Sequence, residues 1–380
     1  KIMLKIKKII IFCTSFLIID LILSYFFFNL IFLNLEKIHY ADLNNRIFDK
    51  EYKYTFKPNI SFVSIYNDFI YTIHTNNFGF RDKKNRDIKN NKEVFFFIGD
   101  SFMEGVGLNF EDTLLGHLDQ NRYTYLNSGV TSYSTYLYKK KTISFLEENK
   151  DFKIKRVILL FDKSDPLDDQ KYISMYNSEK KNQQPEFFIN EKNLLPPYKK
   201  KLSERSITLA FLKLFTNFIE ELQRDIKYRY IISKKYDTKF LNLGQNQITA
   251  MKSIGNVTYM SKYYTNNSIW ENKMKLYILD SFKNLKDLET YLSKRNIKLD
   301  IFLFPWPFEL VFDDTRNKYL NYIKDINKNY NMTIHSCYDY FLEDNILDQL
   351  ETIGRSFLLG DVHYNSYGYK TLANCIKNKL

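Results

Sequence analysis

The chain has 380 residues, more than one small domain requires, and 44% of them are hydrophobic and 26% charged. These proportions exclude a disordered chain, and 11 Gly with 7 Pro are too few for a collagen-like or Pro-rich architecture. Three Cys cannot form a disulfide scaffold, and the net charge of +12 permits an anionic partner without demonstrating one.

The N-terminal segment predicts a membrane anchor. The run from 9 to 35 contains a single ionisable residue, Asp20, and a run of this length can span the ~30 Å hydrocarbon core of a bilayer. Four lysines precede it, which favours a cytoplasmic N-terminus. We therefore predict a transmembrane signal-anchor at 9–35 of a single-pass inner (cytoplasmic) membrane protein, with a periplasmic catalytic domain. A long signal peptide and a buried helix are the alternatives.

Residues 36–92 are predicted to form a β-rich lead-in and linker. Polar and apolar residues alternate between 52 and 81, interrupted by turn residues at Pro58, Asn67 and Asp68. This pattern is typical of one or two β-hairpins. A polar stretch rich in Lys and Asn then leads to the main body of the chain.

The main body, 93–380, alternates predicted strands with predicted helices. The strands are the apolar runs VFFFI (94–98), YTYLN (123–127), RVILLF (156–161), LDIFLF (299–304) and MTIHS (332–336). The helices are Thr113–Asn121, Tyr136–Asn149, Glu271–Arg295, Asp314–Tyr330 and Ser366–Lys379. Such alternation indicates an α/β domain whose parallel sheet is covered on both faces, a three-layer α/β/α arrangement.

A long insertion at about 166–269 separates the third strand from the fourth. Its first part, Lys171–Lys201, is polar and contains three prolines, so we expect a surface loop. Its second part, Ser203–Lys235, has apolar residues at helical spacing and predicts an amphipathic helix.

The segment Gly99-Asp100-Ser101-Phe102 follows the first buried strand directly. Ligands of open α/β sheets bind at the carboxyl ends of the strands, where a Ser on a strand-to-helix turn exposes its hydroxyl. Its own backbone N–H points into the same space and can meet a developing oxyanion. Ser101 is therefore a candidate nucleophile, although Gly-Asp-Ser is also ordinary turn chemistry.

A second candidate group lies near the C-terminus, just ahead of the final predicted helix. A serine nucleophile needs a base, and His is the side chain best suited to that task at neutral pH. Of the five histidines, only His363 has a carboxylate beside it on a predicted loop after a sheet element. Asp361 could hold the imidazole tautomer and stabilise its cation, which predicts a Ser101–His363–Asp361 triad.

These segments resemble the SGNH (GDSL-like) hydrolases over about 76–380. The Gly-Asp-Ser-Phe turn at 99–102 matches the first block of that family, and Asp361 with His363 matches the last. The segments Asn77–Asp82 and Phe304–Pro307 are similar to membrane-anchored bacterial members. The Asp-x-His spacing resembles a variant found in relatives that O-acetylate envelope polysaccharides.

The resemblance implies a flavodoxin-like sheet, no cofactor and an oxyanion hole. Its second block corresponds to Asn127-Ser128-Gly129, which implies that Gly129 lends a backbone N–H to the oxyanion together with Ser101. The third block departs from the family, because Ser164 stands where an Asn would donate. Loss of one such donor can cost about 10²–10³ in rate, so Ser164 is an atypical third donor.

Other polar clusters have simpler interpretations. Four aspartates at 162, 165, 168 and 169 could suggest a metal site, but no set of His or Cys accompanies them and we expect no metal. The Lys clusters at 139–141 and 199–201 are typical of solvated surfaces, and no motif indicates a nucleic-acid partner. Cys337 and Cys375 could pair in an oxidising periplasm or remain two buried thiols.

Two functions of different classes follow from these patterns. The first is a membrane-anchored serine esterase or O-acyltransferase that acts on acyl esters of envelope glycans or lipids. The second is a non-catalytic envelope binding or scaffold module that keeps the fold with a degenerate site. The sequence does not decide between water and a sugar hydroxyl as the acyl acceptor, and it is silent on the oligomeric state.

Overall fold

The structure is a computed structural model that describes residues 7, 11–12, 14–26, 44–49, 51–67, 69–86, 88, 93–118, 123–179, 207–237, 243–256 and 258–380. Within these ranges, residues 14–26 are helical, and no helix combines the length and apolarity that a membrane span requires. Residues 9–10, 13 and 27–35 of the anchor predicted at 9–35 lie outside the described residues, as does most of the loop predicted at Lys171–Lys201.

Two antiparallel hairpins precede the main body. The first pairs β1 (Arg46–Asp49) with β2 (Lys53–Phe56), and the second pairs β3 (Ser61–Tyr66) with β4 (Phe69–His74). The turn between β3 and β4 begins at Asn67, whose φ of +51° is left-handed, a conformation that Asn tolerates better than most residues. The β3–β4 hairpin lies within the range 52–81 where one or two hairpins were predicted, whereas the other hairpin begins earlier, at Arg46.

The main body is built on a parallel five-stranded sheet. Its strands are β5 (Val94–Ile98), β6 (Thr124–Asn127), β7 (Ile154–Phe161), β8 (Lys298–Leu303) and β9 (Thr333–Ser336). They lie in the order β6-β5-β7-β8-β9, and every neighbouring pair is parallel. Counted from β5, this is the 2-1-3-4-5 order of flavodoxin-like sheets, and the five strands predicted from apolar runs are confirmed.

The described part of the main body contains thirteen α-helices, some of them a single turn long. They are α1 (Ser101–Glu104), α2 (Leu114–His117), α3 (Thr135–Glu148), α4 (Asp165–Glu179), α5 (Ile207–Tyr236), α6 (Gln245–Asn256), α7 (Thr258–Thr265), α8 (Asn267–Ile269), α9 (Lys275–Ser293), α10 (Pro307–Val311), α11 (Asp313–Tyr330), α12 (Ile346–Ser356) and α13 (Ser366–Lys379). Short 3₁₀ turns occupy Phe110–Asp112 and Tyr338–Tyr340, and a π-helical turn, Trp270–Met274, joins α8 to α9.

The sheet separates two hydrophobic cores, because successive side chains of a strand point to opposite faces. From β5, Phe95 and Phe97 enter the core beneath α5, α6, α12 and α13, whereas Val94, Phe96 and Ile98 enter the core beneath α3, α4, α9 and α11. Burial on both faces explains why β5 is an unbroken apolar run. The result is the predicted three-layer α/β/α arrangement.

Several helices differ from the sequence prediction. The start of the insertion is helix α4 rather than a loop, because Tyr172 is buried in the core and Asp169 accepts hydrogen bonds from α3. The helix predicted for Thr113–Asn121 is limited to the short α2 within the described residues. Helices α6 and α12 were not predicted, and they approach so closely that a Cβ at Gly354 would overlap the Asn246 carbonyl.

Cys337 and Cys375 form a disulfide, with their Cα atoms 5.7 Å apart. Cys337 follows β9 and Cys375 lies on α13, so the bond joins the last strand of the sheet to the last helix. Of the two states that the sequence left open, the structure shows the paired one.

Candidate active site

Ser101 lies at the carboxyl end of β5, where the chain turns sharply into α1. The Asp100 side chain caps this helix by accepting a hydrogen bond from the Phe102 N–H at 3.0 Å. A Cβ at Gly99 would lie 2.8 Å from the Met103 Cβ, so the turn needs a glycine there. As the first residue of α1, Ser101 has a backbone N–H with no acceptor inside the helix.

The structure brings the three predicted triad residues together, although Ser101 and His363 are 262 positions apart. Ser101 Oγ lies 2.8 Å from His363 Nε2, and His363 Nδ1 lies 2.5 Å from Asp361 Oδ1. The His363 backbone N–H donates to the same carboxylate oxygen at 2.9 Å. His363 and Asp361 are buried, and Ser101 is half-buried.

The loop that carries Asp361 and His363 is fixed by its own backbone. Phe357 and Tyr364 form an antiparallel bridge, and the Leu358 N–H donates to the His363 carbonyl at 2.8 Å. Gly360 supplies the left-handed residue of the turn, with φ of +66°. From the sheet side, the Phe102 ring packs against the imidazole with centroids 4.6 Å apart, which fixes the plane of the ring.

The carboxylates around the site differ in their electrostatics. Burial raises the pKa of Asp361, but the hydrogen bond and positive charge of His363 outweigh burial and leave that pKa below its ordinary value. Burial and the nearby Asp162 carboxylate raise the pKa of Asp100 well above its ordinary value. Asp361 is therefore the carboxylate suited to orient a histidine and stabilise its cation.

Two of the three predicted oxyanion donors are committed to other acceptors. The Gly129 N–H donates to Asn127 Oδ1 at 3.0 Å, and the Ser164 hydroxyl donates to Asp162 Oδ2. A Cβ at Gly129 would lie 2.7 Å from the Glu104 backbone nitrogen, so this glycine allows β6 and α1 to approach closely. The Ser101 N–H has no acceptor inside its helix and can donate to a substrate directly. The Gly129 N–H and the Ser164 hydroxyl would first have to release Asn127 and Asp162.

The aspartates that follow β7 are structural in this fold. Asp162 accepts the Trp306 indole N–H at 2.7 Å in addition to Ser164, and Asp165 accepts the Tyr138 hydroxyl at 2.8 Å. Asp169 is also buried and accepts the Ser281 hydroxyl. These carboxylates lie beneath the carboxyl edge of the sheet and are satisfied by protein donors.

A buried ion pair adjoins these aspartates. Lys163 Nζ lies 2.5 Å from Glu309 Oε2, and the Tyr338 hydroxyl donates to the same glutamate at 2.9 Å. Sequence reasoning did not single out Lys163 or Glu309, since neither has a local pattern that distinguishes it from a surface charge.

The segment Asn77–Asp82 braces the turn behind Ser101. The Arg81 guanidinium is buried and donates to the backbone carbonyls of Glu104, at 2.7 Å, and of Gly105 and Leu108. Three carbonyls held by one planar side chain fix the chain that follows α1. The segment singled out in the sequence therefore supports the site through the Arg81 side chain, which holds the backbone behind Ser101.

Two site residues were missed by the sequence reasoning and come from the β3–β4 hairpin. Asn67 Nδ2 donates to Asp361 Oδ2 at 2.6 Å, and the Tyr66 hydroxyl lies 3.1 Å from His363 Nδ1. In the sequence, Asn67 signalled only a turn, and nothing indicated that the turn would reach residues almost three hundred positions away.

Comparisons with known proteins add little to this geometry. No family model matches the chain, and no curated protein matches it. Among solved structures, the chain is similar to a "putative lipolytic protein of G-D-S-L family" from Desulfitobacterium hafniense DCB-2, with a TM-score of 0.36 and 11% identity over 76% of this chain and 99% of the other. A score of this size does not establish a common fold, so the function must be inferred from the residues of this chain.

Proposed function

We propose that the protein is a serine hydrolase or O-acyltransferase that acts on ester bonds. The observation that carries the proposal is the hydrogen-bonded series from Ser101 Oγ to His363 Nε2, at 2.8 Å, and from His363 Nδ1 to Asp361, at 2.5 Å. With the Nδ1 proton directed at Asp361, Nε2 is unprotonated and faces the serine hydroxyl. This is the arrangement that a nucleophile, a general base and an orienting carboxylate require.

The first half of the reaction forms an acyl-enzyme. Ser101 Oγ bonds to the acyl carbon while its proton passes to His363 Nε2, and the carbonyl electron pair moves onto the oxygen. When the tetrahedral intermediate collapses, the ester C–O bond breaks and the departing alcohol takes the proton from Nε2. Asp361 stabilises the imidazolium that exists between these two steps.

The second half transfers the acyl group to water or to a sugar hydroxyl. The acceptor loses its proton to His363 Nε2, attacks the acyl carbon and releases Ser101, which regains the proton. The Ser101 N–H is the available oxyanion donor in both halves. Gly129 and Ser164 would contribute after releasing Asn127 and Asp162, respectively, and their present commitments are what favours the alternative of a non-catalytic binding or scaffold module.

We further propose that the substrates are acylated glycans or lipids of the cell envelope and that the N-terminal segment holds the protein at the membrane. The apolar run at 9–35 and the lysines before it support this localisation. The Cys337–Cys375 disulfide is consistent with an oxidising, extracytoplasmic compartment. After alkaline carbonate extraction of membranes, the protein should remain in the pellet, and its release into the supernatant would contradict the anchor.

Labelling with a fluorophosphonate tests the nucleophile. The full-length protein in detergent should form a covalent adduct and hydrolyse aryl acetates, and Ser101→Ala and His363→Ala should do neither because nucleophile or base is lost. Ser144→Ala is the matched control, since the Ser144 hydroxyl is exposed and bonds only Glu148 on its own helix. A wild-type protein that forms no Ser101-dependent adduct would leave the non-catalytic module as the function.

A further inference from the structure

The Asp361 oxygen that does not bond His363 accepts a hydrogen bond from the β3–β4 hairpin, which lies outside the α/β body. Asp361 Oδ1 accepts two hydrogen bonds from His363, and Oδ2 accepts the Asn67 amide at 2.6 Å. Asn67 lies at the tip of the β3–β4 hairpin, between strands that pair with each other and with no strand of the central sheet. The Asp361 carboxylate thus accepts hydrogen bonds from its own loop on one oxygen and from the β3–β4 hairpin on the other.

Tyr66 reinforces this contact from the same hairpin tip. Its ring meets the imidazole edge-on, with centroids 5.1 Å apart, and its hydroxyl oxygen lies 3.1 Å from His363 Nδ1. Because the single Nδ1 proton is directed at Asp361, Nδ1 has no lone pair for the tyrosine proton, which can instead point toward the carboxylate. Burial and the charge of Asp361 raise the pKa of Tyr66, so its hydroxyl keeps its proton at physiological pH.

The β3–β4 hairpin is also held by contacts that do not involve Asn67. The Thr72 N–H donates to Asn109 Oδ1 at 3.0 Å, which joins β4 to the loop after α1. In that loop, a Cβ at Gly107 would lie 2.8 Å from Leu358 Cδ1 and 3.6 Å from Tyr66 Cδ1, so the glycine lets the hairpin and the Asp361 loop converge. The tip is therefore placed by contacts that do not depend on the hydrogen bond from Asn67.

We propose that Asn67 is a positioning residue of the active site, which holds Asp361 in line with His363 and makes the β3–β4 hairpin an obligatory part of the catalytic unit. The proposal rests on the esterase or acyltransferase function proposed above. Asn67 acts through Asp361 and touches neither Ser101 nor the reacting atoms. Removal of its amide leaves the carboxylate free to rotate and concentrates its negative charge on the imidazole.

Substitution of Asn67 in the full-length chain tests the proposal. Asn67→Ala should lower kcat for an aryl acetate by about tenfold with little change in KM, because a hydrogen bond to a charged group is lost while the substrate contacts remain. Asn67→Asp should lower kcat further, since an ionised carboxylate cannot donate and repels Asp361. Asn59→Ala is the matched control, because Asn59 has the same left-handed backbone, at φ of +55°, and lies in an exposed turn. The Asn59 backbone N–H donates to the Asn76 carbonyl, a bond that the substitution keeps.

A second readout reports on the contact without turnover. The titratable groups around His363 are Asp361 on its own loop, Tyr66 from the hairpin and Asp100 beside Ser101. None of these changes in the variants, so removal of the Asn67 amide should strengthen the attraction between Asp361 and the imidazolium. We expect the NMR resonance of the His363 Nδ1 proton, which is directed at Asp361, to move in Asn67→Ala and further in Asn67→Asp. The acid limb of the pH–rate profile should move to higher pH in the same order.

The outcomes separate the two proposals. If the wild type turns over no ester but the His363 Nδ1 proton resonance moves as expected in the variants, the proposed function fails and the positioning contact stands. If Asn67→Ala leaves kcat and the His363 Nδ1 proton resonance unchanged, or if Asn59→Ala reproduces both effects, the positioning role is overturned. The five histidines of the chain make a selectively labelled spectrum simple enough to assign by substitution of His363.

Discussion

Three buried carboxylates show how position decides the protonation of one residue type. Asp361 has a lowered pKa because its cationic partner outweighs burial. Asp100 and Asp165 lack a cationic partner of that kind, and burial with neighbouring carboxylates raises the pKa of each well above its ordinary value. Ionised Asp361 therefore stabilises the folded state at neutral pH, whereas ionisation of Asp165 opposes folding.

The contrast predicts how stability depends on pH. For Asp165, the folded state holds its proton more tightly than the unfolded state, so the free energy of unfolding falls as pH rises from the ordinary value of 3.8 through the higher folded value. Asp165→Asn, a neutral side chain of the same shape, should flatten this decline. The measurement is urea unfolding over a series of pH values that begins at the ordinary carboxyl value of 3.8 and rises from there.

The control for this prediction is Asp325→Asn on α11. Asp325 is exposed and pairs only with lysines, which lower its pKa, so it contributes little to the decline over the same range. If Asp165→Asn kept the full pH dependence of the wild type while the control behaved as expected, the electrostatic account of Asp165 would be wrong.

At the scale of elements, the strands could be predicted from the sequence because burial on both faces leaves a local mark. β5 is a continuous apolar run and β7 ends in one, VILLF at 157–161, and the structure confirms both strands. Helices α4 and α6 could not be predicted in the same way, since their apolar faces are short and are completed only by tertiary contacts. Helix α12 was overlooked, although Ile346, Leu350 and Ile353 recur at helical spacing. The close approach at Gly354 is a tertiary event that no local pattern encodes.

The residues of the candidate site also differ in whether a local sequence pattern reveals them. Ser101 could be found because it follows β5 directly. Asp361 and His363 could be found because a carboxylate and an imidazole two positions apart precede the final helix, although the structure places α12, and not a strand, before their loop. The commitments of Gly129 and Ser164 could not, since they depend on which rotamers Asn127 and Asp162 adopt. Asn67 could not be found because its role depends on a hydrogen bond to Asp361, which is 294 positions away in the sequence.

Helix α5 provides a test of how one element is oriented. Its last turns face the core, where Ile232 is fully buried, while Ile226 on the same helix is 59% exposed. Ile232→Ala should lower the free energy of unfolding by about 2–4 kcal/mol, because a large buried side chain is removed and a cavity remains. The measurement is thermal or urea unfolding of the full-length protein.

Ile226→Ala is the matched control on this helix and should change the free energy of unfolding by less than about 0.5 kcal/mol. The two substitutions have the same effect on helix propensity, so the difference between them isolates burial. Equal losses in both variants would contradict the orientation of α5.

For the whole molecule, the disulfide closes the segment that carries the catalytic pair. Cys337 and Cys375 are 38 positions apart, and Asp361 and His363 lie between them. The bond ties α13 to the sheet in the folded state, and in the unfolded chain it closes a loop that contains both residues. A cross-link of this kind stabilises mainly by reducing the conformational freedom of the unfolded state.

The combined variant Cys337→Ala/Cys375→Ala should therefore lose about 2–4 kcal/mol in the free energy of unfolding. The measurement is urea unfolding of the wild type and the variant, each with and without dithiothreitol. Reductant should destabilise the wild type and leave the variant unchanged, because Cys13 is the one other cysteine of the chain and the variant has no pair to reduce. Both cysteines are buried, so packing lost on substitution adds to the variant's deficit, whereas reduction of the wild type isolates the cross-link. A wild type whose unfolding ignored the reductant, while free thiols rose to three per chain, would show that the bond forms without holding the catalytic segment to the sheet.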